Sequence, residues 1–324
     1  MPNPILTQVT ARIMSQSTPA RAPTRRASGR QLDNTARGVA CVVVAVFLFA
    51  VMNTLFKSLS SSFAPTQLVF FRAFFGFLPL FVLVGLDSRG WRNIVSAAPK
   101  TQVVRAGSAF IANALIVLSY RFMPLADAVA IGYAAPIFVT VLAAPILAEH
   151  VGRDRWAAVL IGFGGVLLVA RPSSGLIDPG ALFAIAGTFC YAICIIATRR
   201  LGAADAPLTT MLWSTALYVV FGATTLPWVW TTPTLAQLPA LVMIGCLATA
   251  GMFFFVRAYR YAEAASLAPF DYMAMGWAVV FGFVVFGEVP QPGAVVGIAV
   301  IVATGLYIVH RESRRRRADT SAST

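Results

Sequence analysis

A few residues in this chain carry chemistry that their surroundings lack. Arg72 and Asp271 are ionisable side chains set in long apolar runs, and Asn53 and Asn113 are amides in similar runs. A charge at the centre of a membrane helix costs about 2.5–3.5 kcal/mol on the insertion scale, so each such group needs a partner or a function. Arg72 stands about two turns into the second apolar run, where it can bind an anionic group or counter a carboxylate. Equally, it can snorkel to the interface or pin two helices together. Asp271 follows Pro269 and Phe270 at the start of the ninth run. There it can take a proton or a cationic group, or simply sit at a favourable helix N-terminus. Asp127 has a similar place in the fourth run, nearer to solvent, and is expected only to satisfy a helix start. Asn53 and Asn113 can each hydrogen-bond a ligand or a neighbouring helix. Tyr133, Tyr191, Tyr272 and Trp277 offer ring faces on which a planar solute could stack, or they are packing and interfacial aromatics.

The elements that must position these groups are membrane helices. The chain has 324 residues, of which 58% are hydrophobic and only 11% charged. A soluble domain carries about a quarter charged residues and cannot cover its surface with so few. Ten apolar runs occur at 38–56, 68–86, 103–120, 126–148, 156–170, 180–198, 208–230, 239–256, 265–286 and 293–309. About 20 apolar residues span the hydrocarbon core as a helix, and these runs approach or reach that length. The expected fold is an all-α integral membrane protein of ten transmembrane helices, with the lipid bilayer as its main partner.

The net charge of +13 raises nucleic acid as a partner, but the positions of the charges exclude it. Arg25, Arg26 and Arg30 precede the first run, and Arg314 to Arg317 follow the last. Basic residues gather on the cytoplasmic side of membrane helices. A cytoplasmic N-terminus puts Arg89, Arg92, Lys100, Arg105, Arg153, Arg155, Arg199, Arg200, Arg257 and Arg260 inside, leaving Lys57, Arg121 and Arg171 opposite. Both termini are therefore expected in the cytoplasm. Residues 1–36 read as a disordered tail, or alternatively as an Arg- and Ser-rich targeting leader, and 311–324 as a basic tail.

Catalytic and metal chemistry find little support. Cys41, Cys190, Cys194 and Cys246 all lie in apolar runs, and Cys190 with Cys194 makes a weak zinc signal without further ligands. His150 and His310 fall at helix ends. No GxxxxGK[ST] loop is present. No cofactor or metal is expected, and an intramembrane enzyme or a structural membrane protein are the remote alternatives.

The two halves of the chain repeat one another. At an offset of 142, Gly38, Phe47, Ala50, Leu59, Ala64 and Pro65 match Gly180, Phe189, Ala192, Leu201, Ala206 and Pro207, with Lys57 against Arg199. At an offset of 139, Tyr120, Arg121, Tyr133 and Glu149 match Tyr259, Arg260, Tyr272 and Glu288. A unit with an odd number of spans inserts its second copy upside down. Two inverted-topology five-helix repeats follow, 37–172 and 179–310, an arrangement that in secondary transporters puts the substrate site near the midplane between repeats. Glu149 and Glu288 end their helices and are expected to cap or tie helix ends.

Residues 121–172 also resemble the fourth and fifth helices of an EamA-type drug/metabolite transporter. They share a small-residue entry, Pro136 in mid-helix, Glu149 at the exit and a glycine-rich helix beyond. Residues 259–290 repeat the pattern with Pro269 and Glu288. Pro269-Phe270-Asp271-Tyr272 with Trp277 and Gly287-Glu288 resembles the group of bacterial riboflavin-uptake and S-adenosylmethionine-uptake carriers, a pattern that exporters largely share. The resemblance implies a cavity formed by the first, third, fourth, sixth, eighth and ninth helices. A small-molecule substrate is expected in that cavity, with Asn53, Asn113, Tyr133, Tyr191, Asp271, Tyr272 and Trp277 as its candidate contacts and Arg72 as a charge partner.

Overall fold

In hydrocarbon a peptide group finds no water, so the backbone crosses as helix and departs from it only where protein surrounds it. The computed structural model describes residues 25–87, 90–147, 153–170, 178–201, 204–262, 264–290 and 292–322. Its helices are α1 (Arg25–Leu59), α2 (Pro65–Leu86), α3 (Pro99–Ser119), α4 (Leu125–Gly132), α5 (Ala135–Leu147), α6 (Arg153–Ala170), α7 (Pro179–Leu201), α8 (Pro207–Val229), α9 (Leu238–Tyr261), α10 (Ala264–Asp271), α11 (Met273–Phe286) and α12 (Pro292–Ala322). α4 with α5 forms one span, as does α10 with α11. Among the described residues, eight spans are long and apolar enough to cross a bilayer, and Val159–Ala170 and Pro292–Tyr307 are shorter apolar helices, completing the ten. Proline opens α2, α3, α7, α8 and α12, where its missing N–H costs nothing.

Two boundaries differ from the sequence expectation. α1 is already helical at Arg25, within the segment expected to be a disordered tail, and α12 continues to Ala322 through the basic tail. Arg, Gln, Leu and Ala are good helix formers, so a helix nucleated in the apolar run propagates into its polar flank. Glu149 and His150, expected at a helix end, lie outside the described residues.

Packing between the halves follows the exchange that an inverted repeat demands. α1 packs on α9 and α3 on α7, which are equivalent contacts once the first and sixth and the third and eighth spans are interchanged. α6 packs on its own counterpart α12, and α2 on α8. The α4–α5 span leans on α7 as the α10–α11 span leans on α1. Leu78, Val82, Leu160 and Val284 stay exposed on the outer faces, as side chains in contact with lipid do.

Without water to drive them together, membrane helices associate by close packing at small residues. α6 and α12 meet at Gly165 and Gly297. A Cβ on Gly297 would lie 2.7 Å from the Gly165 carbonyl oxygen, and one on Gly165 would lie 3.0 Å from that of Gly297. α9 crosses α2 at Gly245, whose Cβ would meet the Gly76 nitrogen at 2.6 Å, beside a Thr249 hydroxyl donating to the Gly76 carbonyl at 3.0 Å.

Gly297→Leu should therefore force α6 and α12 apart, at a cost of about 1–3 kcal/mol or more. In detergent the variant should melt several degrees lower or lose its monodisperse peak, whereas Gly293→Ala on the same helix, with open space at its Cβ, should not. Equal melting of both variants would contradict this packing.

Candidate functional site

Two breaks in the membrane-spanning helices set the centre of the molecule. Between α4 and α5 the chain turns at Tyr133 and Ala134, where Ala134 and Ile137 make tighter bonds to the carbonyls three residues back. Pro136, expected in mid-helix, instead stands in the first turn of α5. It brings no N–H for the Gly132 carbonyl. Between α10 and α11 the break is at Tyr272, and the Met275 amide turns to the Tyr272 carbonyl. That shift leaves the Asp271 carbonyl without its helical donor. The Tyr133 hydroxyl supplies one, donating to the Asp271 carbonyl at 2.7 Å. The matched tyrosines face each other, with ring centroids 5.1 Å apart and planes inclined by 39°.

Beside this contact lies a cavity of about 210 Å³, lined by Val46, Phe49, Ala50, Met52 and Asn53 of α1, Leu125 and Val129 of α4, Tyr133, Asp271, and Ala274 and Ala278 of α11. Its polar groups are an amide, a phenol and a carboxyl, against a wall of apolar side chains. Both repeats contribute to it. Small-molecule sites have this composition, a mainly apolar wall with few polar groups.

The sequence expectations divide between this cavity and its surroundings. Asn53, Tyr133 and Asp271 line it together, and Tyr272 stands against Tyr133. Tyr191 of α7 keeps 47% of its surface accessible and is not among the residues lining the cavity. It lies within electrostatic reach of Asp271 and Tyr133 on one side and Arg72 on the other. Arg72 and Asn113 form a separate cluster. The Arg72 Nη1 donates to the Asn113 Oδ1 at 2.7 Å, and the guanidinium stands 5.8 Å from the Tyr218 ring centroid. Asn113 donates in turn to the Ala109 carbonyl at 2.7 Å and the Tyr218 hydroxyl at 3.2 Å. Arg72 thus joins α2, α3 and α8.

Trp277 is not among the residues lining the cavity. It stacks on Phe281 at 5.7 Å and meets the edge of Phe47 at 5.1 Å, on the flank between α11 and α1. The third, sixth and eighth spans, which the resemblance includes among the cavity formers, contribute nothing to the lining. Asp127, expected near solvent, is 1% exposed.

Sequence reasoning also missed a site partner. Lys57 of α1 forms an ion pair with Glu288, Nζ to Oε1 at 2.5 Å, and donates to the Met123 carbonyl at 2.8 Å. The other oxygen of Glu288 accepts the amide N–H of Leu125, the first residue of α4, at 2.9 Å. Glu288 thereby caps and ties helix ends, as its position suggested. The signal for Lys57 was its pairing with Arg199 in the repeat register.

At the face that carries the chain termini, Asp205 between α7 and α8 accepts from Ser96 at 2.5 Å, the Ala97 amide at 2.7 Å and Gln102 at 2.8 Å. Burial pushes its carboxyl up, but these hydrogen bonds outweigh it and hold the group below the usual carboxylate range.

Known proteins share this architecture. The model of the EamA-like transporter family matches residues 36–171 and again 178–310. A riboflavin transporter of Rhizobium johnstonii is 28% identical over 283 residues, 86% of this chain and 93% of its own. An S-adenosylmethionine uptake transporter of Rickettsia prowazekii is 22% identical over 86% of this chain and 94% of its own. A pseudopaline exporter of Pseudomonas aeruginosa is 26% identical over 84% and 95%. A solved crystal structure covers 86% of this chain and 98% of its own with a TM-score of 0.59 at 19% identity, a likeness of fold alone.

The Arg72 cluster yields a prediction of its own. Asn113→Leu strips the guanidinium of its amide acceptor and should cost about 1.5–3 kcal/mol of stability. Adding Arg72→Met to that variant should recover part of the loss in melting temperature. Losses that simply add would show that the pair is not coupled.

Proposed function

The chain belongs to the EamA-like transporter family, and from that premise we propose that it is a secondary carrier moving a small metabolite across the bacterial inner membrane by alternating access. Riboflavin, or a similar planar and partly aromatic metabolite, is the favoured substrate. One observation carries this reading: Asn53, Tyr133 and Asp271, drawn from both repeats, line a single cavity. Alternating access needs such a site between units that move against each other. Membership in a transporter family also points away from an intramembrane enzyme.

The chemistry of the cavity supports a ring-bearing solute. Its apolar wall has few donors and acceptors, so affinity must come from area and stacking, with one or two directed hydrogen bonds. In this reading Tyr272 and Tyr133 present ring area, while Asn53 and Asp271 provide directed contacts. At about 210 Å³ the cavity is smaller than the roughly 300–1,000 Å³ of drug-sized sites. A riboflavin-sized solute would also use the open surface in front of Tyr191. Trp277, packed on Phe281 and Phe47, then contributes to helix packing and not to binding.

A second reading, export of amino acids or other charged metabolites, has one observation in its favour. Asp271 and Arg72 carry opposite charges, and Tyr191 lies within electrostatic reach of both. A zwitterion could span such a pair, and the pseudopaline exporter among the relatives makes export a natural comparison.

Both termini are placed in the cytoplasm on the strength of the charge bias. Alkaline phosphatase fused at Arg311 should then be inactive, and an active fusion would reverse the orientation.

Uptake and membrane abundance measured together test the site, in cells that depend on imported riboflavin. Asn53→Ala and Asp271→Asn should each lower uptake about tenfold at normal abundance, the effect of one lost directed contact, and Tyr272→Ala should lower it by a similar factor through lost ring area. Trp277→Ala should lower uptake only as far as it lowers abundance. Full uptake in all of the first three would move the site elsewhere.

A further inference from the structure

We propose that Lys57 and Glu288 form a latch that closes the cavity on the face opposite the chain termini, and that this latch must open for a solute to pass there. The inference rests on the carrier reading and concerns how the same cavity is gated. The argument begins with what the ion pair joins. Three elements line the cavity: α1, α4 and the α10–α11 span. Lys57 lies one turn beyond the cavity residue Asn53 on α1. Glu288 lies just past the end of α11, and Leu125, itself a lining residue, begins α4. All three elements therefore converge on one cluster of charges at a single face.

The bonds of that cluster run between the repeats. Lys57 Nζ holds Glu288 Oε1 at 2.5 Å and the Met123 carbonyl at 2.8 Å, and Glu288 Oε2 holds the Leu125 amide at 2.9 Å. Lys57 and Glu288 are 9% and 23% exposed, and the ammonium stands 5.3 Å from the Phe286 ring centroid. Glu288 comes from the second repeat, while Lys57, Met123 and Leu125 come from the first. A carboxylate that bonds both an ammonium and the first amide of α4 holds the second repeat against the first where the cavity ends. Arg121 adds a tie within the first repeat, donating to the carbonyls of Ser60 and Phe63 in the α1–α2 turn.

A fixed clamp and a latch differ in one respect. If the repeats part on this side during the cycle, the Glu288 bonds to Lys57 and Leu125 must break, because Glu288 moves with the second repeat and its two partners with the first. The pair then sets how often the cavity is open to this face. Weakening it shifts the population towards the open form. A clamp that never opens affects stability without affecting access.

The test needs no substrate, so its failure is separable from failure of the proposed function. Cys41, Cys190, Cys194 and Cys246 are replaced by Ser or Ala, and Ala274→Cys is introduced as a reporter in the cavity wall. A membrane-impermeant maleimide is applied to right-side-out and to inverted vesicles. From the face of the α1–α2 turn, labelling should be slow with the native pair and about tenfold faster or more in Lys57→Met. Glu288→Gln keeps an oxygen for the Leu125 amide and the shape of the side chain, so it preserves the fold while removing the charge. It should speed labelling in the same direction. The Lys57→Met, Glu288→Gln double variant should label no faster than the faster single variant, because both changes break one interaction. Labelling unchanged in properly folded Lys57→Met and Glu288→Gln, or additive in the double variant, would overturn the proposal and leave a fixed clamp.

Discussion

Hydrocarbon offers no hydrogen-bond partner to a peptide group, and that constraint decides where this fold can depart from helix. Irregular backbone at membrane depth survives only inside the protein. Among the described residues there are two such departures within a span, at Tyr133 and at Tyr272, in matched positions of the two repeats. They meet, and the phenol of one supplies the hydrogen bond that the other has lost at the Asp271 carbonyl. The break at Tyr272 is thereby tolerable because the break at Tyr133 is beside it. An internal cavity with a half-buried carboxyl in its wall lies next to that contact.

The repeats are equivalent in path but not in chemistry. Asp271 has Gly132 as its counterpart at the same offset that relates Tyr272 to Tyr133, so only one carboxyl enters the wall. Lys57 and Glu288, drawn from different repeats, tie helix ends at one face. At the other face, Asp205 gathers Ser96, Ala97 and Gln102, joining the start of α3 to the turn before α8. That second tie involves helices away from the cavity. An inverted repeat gives two similar halves, and side-chain differences between them give the cavity its polarity.

Much of this was legible in the sequence for physical reasons. Spans announce themselves because few charges can be tolerated across a hydrocarbon core, and the proline starts of α2, α3, α7 and α8 mark where helices can begin. The Tyr133–Tyr272 match was visible because the repeat places both at one register, and the structure brings their rings to 5.1 Å. Trp277 was misleading because periodicity gives a helix face but not the neighbour that covers it. Only packing shows that Phe47 and Phe281 take that ring. The pairing of Arg72 with Asn113, and of Lys57 with Glu288, depends on which helices lie side by side, and no local pattern encodes that. The helical start at Arg25 reflects a helix outrunning the apolar run that nucleates it.

The central claim is that this chain is a carrier with one cavity shared by two inverted repeats. Solute counterflow in proteoliposomes tests it most directly. Purified protein is reconstituted with unlabelled riboflavin inside, and labelled riboflavin is added outside. In a second preparation, a zwitterionic amino acid replaces riboflavin on both sides. The account predicts transient accumulation of label above the outside concentration, slowed about tenfold by Asp271→Asn and absent from protein-free liposomes. Accumulation of the zwitterion alone would keep the carrier and change its substrate. No counterflow of either solute by well-folded, inserted protein would contradict the account.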